Sequence, residues 1–190
     1  TRTVAMIILM AAVVGFFGYP LLQQLPVIAR DVLAQVGDTE AARAARNSAL
    51  YTAQGFGALV AAFLLASFNP ARKGWLLVAG NTVFIAGLLV LGLTRSVPVA
   101  LVTIALIGWG SVTTLANMNT LIQLQVPDHL RGRVFATYLW ALQGVAPFGS
   151  LIVGWMAQGW GVPATALACG LLLLLIIGAI FITNPHIKSL

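Results

Sequence analysis

The sequence predicts an all-α, integral membrane bundle of six transmembrane helices. Of its 190 residues 60% are apolar and 7% charged, with a mean hydropathy of +0.99, whereas a soluble domain carries about a quarter charged residues. The charges themselves divide the chain: with His counted neutral, five long charge-free stretches run over 3–29, 47–71, 74–94, 96–127 and 134–187, and ionised groups are costly at a bilayer centre. These runs are continuously apolar, unlike barrel strands, which alternate over about ten residues. A helix satisfies its own backbone groups in hydrocarbon, so helices are what remain.

Taken in order, the first span lies near 4–25. The longest polar connection, 26–47, follows it and carries Arg30, Asp31, Asp38, Glu40, Arg43 and Arg46. Its Ala-rich end, 39–47, is expected to wind into the second span, near 48–69, with Asp38 or Thr39 as the cap. The third and fourth spans lie near 74–94 and 98–124. The last charge-free stretch is too long for one span of about 20 residues. Gly159-Trp160-Gly161-Val162-Pro163 breaks it, since Gly favours a helix end and Pro a helix start, leaving spans near 132–157 and 163–183. Gly144 and Pro147 predict a kink in the fifth helix. Ala11 with Gly15, Gly57 with Ala61, and Ala146 with Ser150 and Gly154 predict close approach of helix backbones. Trp75, Trp155 and Trp160 fall near span ends, as an interfacial belt does.

Six spans put both ends of the chain on one side of the membrane. That side holds Arg2, Arg72, Lys73, Arg131, Arg133 and Lys188, and the other Arg30, Arg43, Arg46 and Arg95. The excess of basic residues places both termini in the cytoplasm, with basic loops at 70–73 and 126–133. No run is dense enough in Lys and Arg to track nucleic-acid phosphates. Cys169 stands alone in an apolar run and reads as a small packing residue. The opening Thr1-Arg2-Thr3 reads as a cut through a longer polypeptide.

Enzymatic chemistry finds no footing. His129, His186 and all four acids fall in loops or tails, and Ser150 has no base beside it. No metal-ligand spacing is present, and no cofactor is implied. The spans instead carry amides and hydroxyls: Tyr51 and Gln54 in the second, a Thr113–Asn117–Thr120 stripe and an opposed Asn119–Gln123 stripe in the fourth, and Gln143 in the fifth, near Tyr138 and Trp140. Such groups face protein or water, not lipid. Either they line a path through the bundle or they bond between helices at about 1 kcal/mol or less each. Two opposed stripes on one helix mean that at least one is packing. Tyr51, Gln54, Asn117, Asn119 and Gln143 are the path candidates. In the loop Val126 to Val134, Asp128 is placed to cap the fifth helix. Arg131 and Arg133 are either an inside anchor or a latch between cytoplasmic helix ends.

Three passages resemble the second half of a major facilitator superfamily transporter, in particular the bacterial drug and siderophore exporters related to the enterobactin exporter. Leu25-Pro26-Val27-Ile28-Ala29-Arg30-Asp31-Val32-Leu33 is similar to that family's exit from its seventh helix. Gln54-Gly55-Phe56-Gly57-Ala58-Leu59 is similar to its glycine-rich eighth. Pro127-Asp128 and Arg131-Gly132-Arg133, followed by Pro147-Phe148-Gly149-Ser150 and Gly154, resemble its tenth-to-eleventh turn. The resemblance implies half of a twelve-helix fold, built from two three-helix inverted repeats, with spans one, two, four and five around a central cavity. It also implies a missing N-terminal six-helix half as partner, a small-molecule substrate, export by alternating access across a bacterial inner membrane, and protons as a candidate coupling ion. A non-transport, membrane-embedded assembly subunit is the alternative. Two departures stand out. The turn Asn69-Pro70-Ala71-Arg72-Lys73-Gly74 lacks the acid of the superfamily's cytoplasmic motif, and no span holds a carboxylate. A coupling acid is therefore expected in the absent half, or at Asp31.

Overall fold

The computed structural model of the chain describes residues 2–68 and 73–187. Among them are six helices long and apolar enough to cross a membrane, and no strand. They are α1 (Arg2–Val32), α2 (Glu40–Phe68), α3 (Lys73–Leu93), α4 (Val97–Gln125), α5 (Asp128–Trp160) and α6 (Val162–Thr183). Arg72, Lys188 and the 69–72 part of the acid-free turn lie outside the described residues.

Several helices continue beyond the apolar stretches, because helical backbone needs no hydrocarbon to persist. The Ala-rich start of α2 has strong helix propensity, and Thr39 caps it: its Oγ1 accepts the Ala42 amide at 3.2 Å. Asp38, the other candidate, is engaged elsewhere. At the start of α5, Pro127 takes the cap position without a side-chain bond, and Asp128 already sits in the first turn. The expected capping by Asp128 is thus corrected. The α5–α6 junction turns at Gly161, whose φ of +79° is open to glycine and strained for other residues.

Two of the helices are interrupted. π-helical turns occupy Val14–Gly18 and Ile28–Val32 in α1 and Trp140–Gly144 in α5. The α5 interruption falls where Gly144 and Pro147 predicted a kink. Those in α1 flank Pro20 and Pro26, which have no N–H to donate to the helical ladder.

The packing partners do not follow chain order. α4 packs along both α2 and α3, α1 packs on α5 and α6, and α3 packs on α6. The pairings α1–α5 and α1–α6 are the counterparts of α4–α2 and α4–α3 once the first three helices are exchanged for the last three. Two reciprocal glycine contacts mark the tightest crossings. On α1 and α5, a Cβ at Gly15 would strike the Leu142 carbonyl oxygen and one at Gly149 the Phe16 carbonyl oxygen. On α2 and α4, Gly57 meets the Ala105 carbonyl and Gly108 the Gln54 carbonyl. Gly15 and Gly57 are where close approach was expected. On α5 the closest glycine contact is at Gly149, which faces α1; of the expected Ala146, Ser150 and Gly154, Ser150 reaches Gln23 of α1, whereas a Cβ on Gly154 would meet nothing within 4 Å.

Ile7, Met10, Phe84, Leu88, Ile104, Ile107, Cys169 and Leu173 form the apolar interior. Only 17% of the apolar stretch of α2 and 22% of that of α5 is buried within the chain, against 44–56% for the other four helices. Two helices of the bundle are therefore left largely uncovered.

Candidate functional site

The glycine contacts bring α1 and α5 side by side in parallel, so that Tyr19 and Gln23 come level with Leu142 to Ser150. Between these helices and α4 lies a pocket of about 310 Å³ lined by Tyr19, Gln23, Leu115, Leu142, Gln143 and Ala146. Gln143 is close to the middle of α5 and Tyr19 to the middle of α1, so the pocket stands near mid-height of the bundle. The π-helical turns Val14–Gly18 and Trp140–Gly144 pack against each other beside it. A π turn adds one residue to a helix and so resets which side chains face a neighbour, a device often found at functional sites. Gln23 is held in place: Ser150 Oγ donates to its Oε1 at 3.2 Å, leaving the Gln23 amide nitrogen available. Gln143 is exposed, and its amide has no hydrogen-bond partner among the described residues.

Of the five path candidates, Gln143 lines this pocket. Asn119 lies one turn from Leu115 on the same face of α4. It is half-buried, and its Oδ1 is shielded without a partner among the described residues. Asn117 points the other way. It is 2% exposed, and its Nδ2 donates to the Thr113 carbonyl at 2.7 Å. Of its stripe-mates, Thr113 is buried and, with its neighbour Thr114, packs against Gly80 of α3, while Thr120 is half-buried and donates to the Ala116 carbonyl at 2.8 Å. Of the two stripes on α4, then, the Asn119 stripe shares the face of the pocket and the Asn117 stripe packs. Tyr51 is 45% exposed and Gln54 half-buried, both on the uncovered α2 and neither on the pocket wall. Tyr19 and Gln23 were not among the candidates, although their spacing of four in an apolar run places them on one helix face.

At the start of α5, Arg131 pairs with Asp128 at 2.6 Å within one turn, and the two side chains are 47% and 89% exposed. Such a pair adds little stability. Arg133 is also exposed. At the opposite end, Asp31 is bound to its neighbour Arg30 at 2.8 Å and borders a second pocket, with Val27, Arg95 and Gly161.

The α1–α2 connection holds a buried ion pair. Arg46 donates to both Asp38 carboxylate oxygens, at 2.7 and 2.9 Å, and to the Ala29 carbonyl at 2.8 Å. The Arg46 hydrogen bonds, and then that from the Gln35 amide, hold the Asp38 carboxyl down at about 2.

Comparison with known proteins agrees with this architecture. The family model described as transmembrane secretion effector, one of the major facilitator models, matches residues 1–189. The multidrug efflux pump Tap of Mycolicibacterium fortuitum is 29% identical over 120 residues, a match covering 63% of this chain and 29% of the pump. The matched segment thus spans less than a third of that relative's length. With six apolar helices and a family match over nearly its whole length, the chain is a multi-pass membrane protein belonging to the transmembrane secretion effector family of the major facilitator transporters.

Proposed function

We propose that this chain is the six-helix half of an exporter that moves a small organic molecule, drug-like or siderophore-like, by alternating access across a bacterial inner membrane, with both termini cytoplasmic. The observation that carries the reading is a mainly apolar pocket with three polar side chains, at mid-height beside two π turns, in a bundle whose α2 and α5 are largely uncovered. Those two helices are the surfaces on which a second six-helix half would rock. The efflux activity in the name of the Tap relative supports the same reading.

In this reading Gln143 and Asn119 line the path, Tyr51 and Gln54 border it from α2, and Asn117 serves packing. Asp128, Arg131 and Arg133 act at the cytoplasmic end, where Arg131 exchanges its exposed, weakly held partner as the helices move. If protons drive export, the titrating acid belongs to the other half or is Asp31, which is exposed at the far end of α1.

The test is efflux from proteoliposomes containing the intact protein. Gln143→Ala and Asn119→Ala should each slow efflux several-fold with an unchanged melting temperature. Asn117→Ala should lower the melting temperature while the surviving protein keeps its rate. An intact protein that moves no substrate under any imposed gradient would instead favour the assembly-subunit reading.

A further inference from the structure

We infer that the pocket between α1, α4 and α5 selects uncharged, hydrogen-bonding molecules over organic ions, with Tyr19 and Gln23 acting alongside Gln143 as the selecting residues; this deepens the transport reading and rests on it. The wall consists of a phenol, two carboxamides and the apolar side chains of Leu115, Leu142 and Ala146. A carboxamide offers both donors and an acceptor, and a phenol offers one of each. Because Ser150 occupies Gln23 Oε1, Gln23 presents its amide nitrogen, whereas Gln143 presents both ends of its amide. The complementary ligand group is an amide, ester or alcohol beside an aromatic or aliphatic surface.

Among the described residues of this chain, no ionised side chain is near enough to help a charged ligand. Along α1 the first are Arg30 and Asp31, roughly 10 Å beyond Gln23 at about 1.5 Å per residue, and they already neutralise each other. Along α5 the nearest is Arg133, roughly 15 Å from Gln143 by the same rise. The whole of α4, Val97–Gln125, carries none. An ion entering from water would lose its hydration without gaining a counter-charge, and the face of a single aromatic ring returns less than that loss. A neutral molecule exchanges water hydrogen bonds for amide ones at little cost. The volume of about 310 Å³ is at the small end of ligand pockets, which run to roughly 300–1,000 Å³, so the pocket holds one arm of a larger substrate.

The experiment is equilibrium binding to the intact protein in nanodiscs, so that it reads out whether or not transport is reconstituted. The probes are radiolabelled chloramphenicol, which is uncharged and carries a ring, an amide and two hydroxyls, and ethidium, a permanent cation. The wild type is expected to bind chloramphenicol at least tenfold more tightly than ethidium. Gln23→Leu and Gln143→Leu should each weaken chloramphenicol about tenfold, and Gln143→Glu should shift the preference towards ethidium. Ethidium bound as tightly as chloramphenicol by the wild type, no binding of chloramphenicol, or indifference to both leucine variants would overturn the inference. The wild-type ratio requires no variant to fold. Efflux of ethidium by the same protein would leave export standing while removing this selectivity, and absence of efflux with the expected binding ratio would do the reverse.

Discussion

Gly149 and Gly154 are five residues apart on α5 and differ in what lies opposite. A methyl group on Gly149 would run into the Phe16 backbone, which cannot move aside as a side chain could, while one on Gly154 meets open space. Gly149→Ala should therefore cost about 1–3 kcal/mol, as overpacking does. Gly154→Ala should be neutral or slightly stabilising, because alanine is the better helix former. Melting temperatures in detergent check this, and equal values for the two variants would show that the close crossing is absent. Small-residue spacing in the sequence suggested close approach on this helix through Ala146, Ser150 and Gly154, but the closest glycine contact is at Gly149 and Gly154 faces open space. Which of two adjacent stripes faces a neighbour depends on helix rotation, and a π turn just upstream, at Trp140–Gly144, resets that rotation. Rotation also explains why Asn117 and Asn119 of α4 could not be told apart in the sequence: both are amides in an apolar helix, and only tertiary packing turns one inward.

Between α1 and α2, residues 33–39 act as a fastened strap rather than a loose loop. Arg46, on α2, reaches back to the Ala29 carbonyl on α1 and grips Asp38 from the connection, so one guanidinium ties three segments together. The Asp38 carboxyl is held at about 2, below the ordinary value of about 3.9. Its charge is thus favoured in the folded chain, and the resulting stability is complete above about pH 4, declines as pH falls, and is gone once pH passes below about 2. The melting-temperature difference between wild type and Asp38→Asn should stay constant from neutral pH down to about 4 and shrink between 4 and 2. A difference that keeps its full size at pH 2 would contradict the pairing. Sequence reading weighed Asp38 as a cap and Arg46 as one charge among several. The contact joining Arg46 to a carbonyl seventeen positions away has no local signature.

At the scale of the whole molecule, six helices and the all-α class were legible because charge-free stretches of spanning length admit few other outcomes. The order of packing was not, since the small number of residues separating α2 from α3 in sequence says nothing about α4 lying along both. Orientation can be measured directly, because Cys169, the single cysteine, is fully buried and gives a silent background for thiol labelling. With cytoplasmic termini, an impermeant maleimide should label Ser96→Cys, in the α3–α4 turn, from outside intact cells. Gly132→Cys, exposed at the start of α5, should react only after permeabilisation; the opposite pattern would invert the topology.

The two glycine crossings set a mechanical limit on how such a bundle can deform. Where each helix notches into the backbone of the other, neither can slide along its partner without a collision, so α1 with α5 and α2 with α4 each travel as one plate. One of the places where the two plates meet is the contact between α1 and α4. The pocket straddles that seam, with Tyr19 and Gln23 on one plate and Leu115 on the other, so any shear between the plates changes its width.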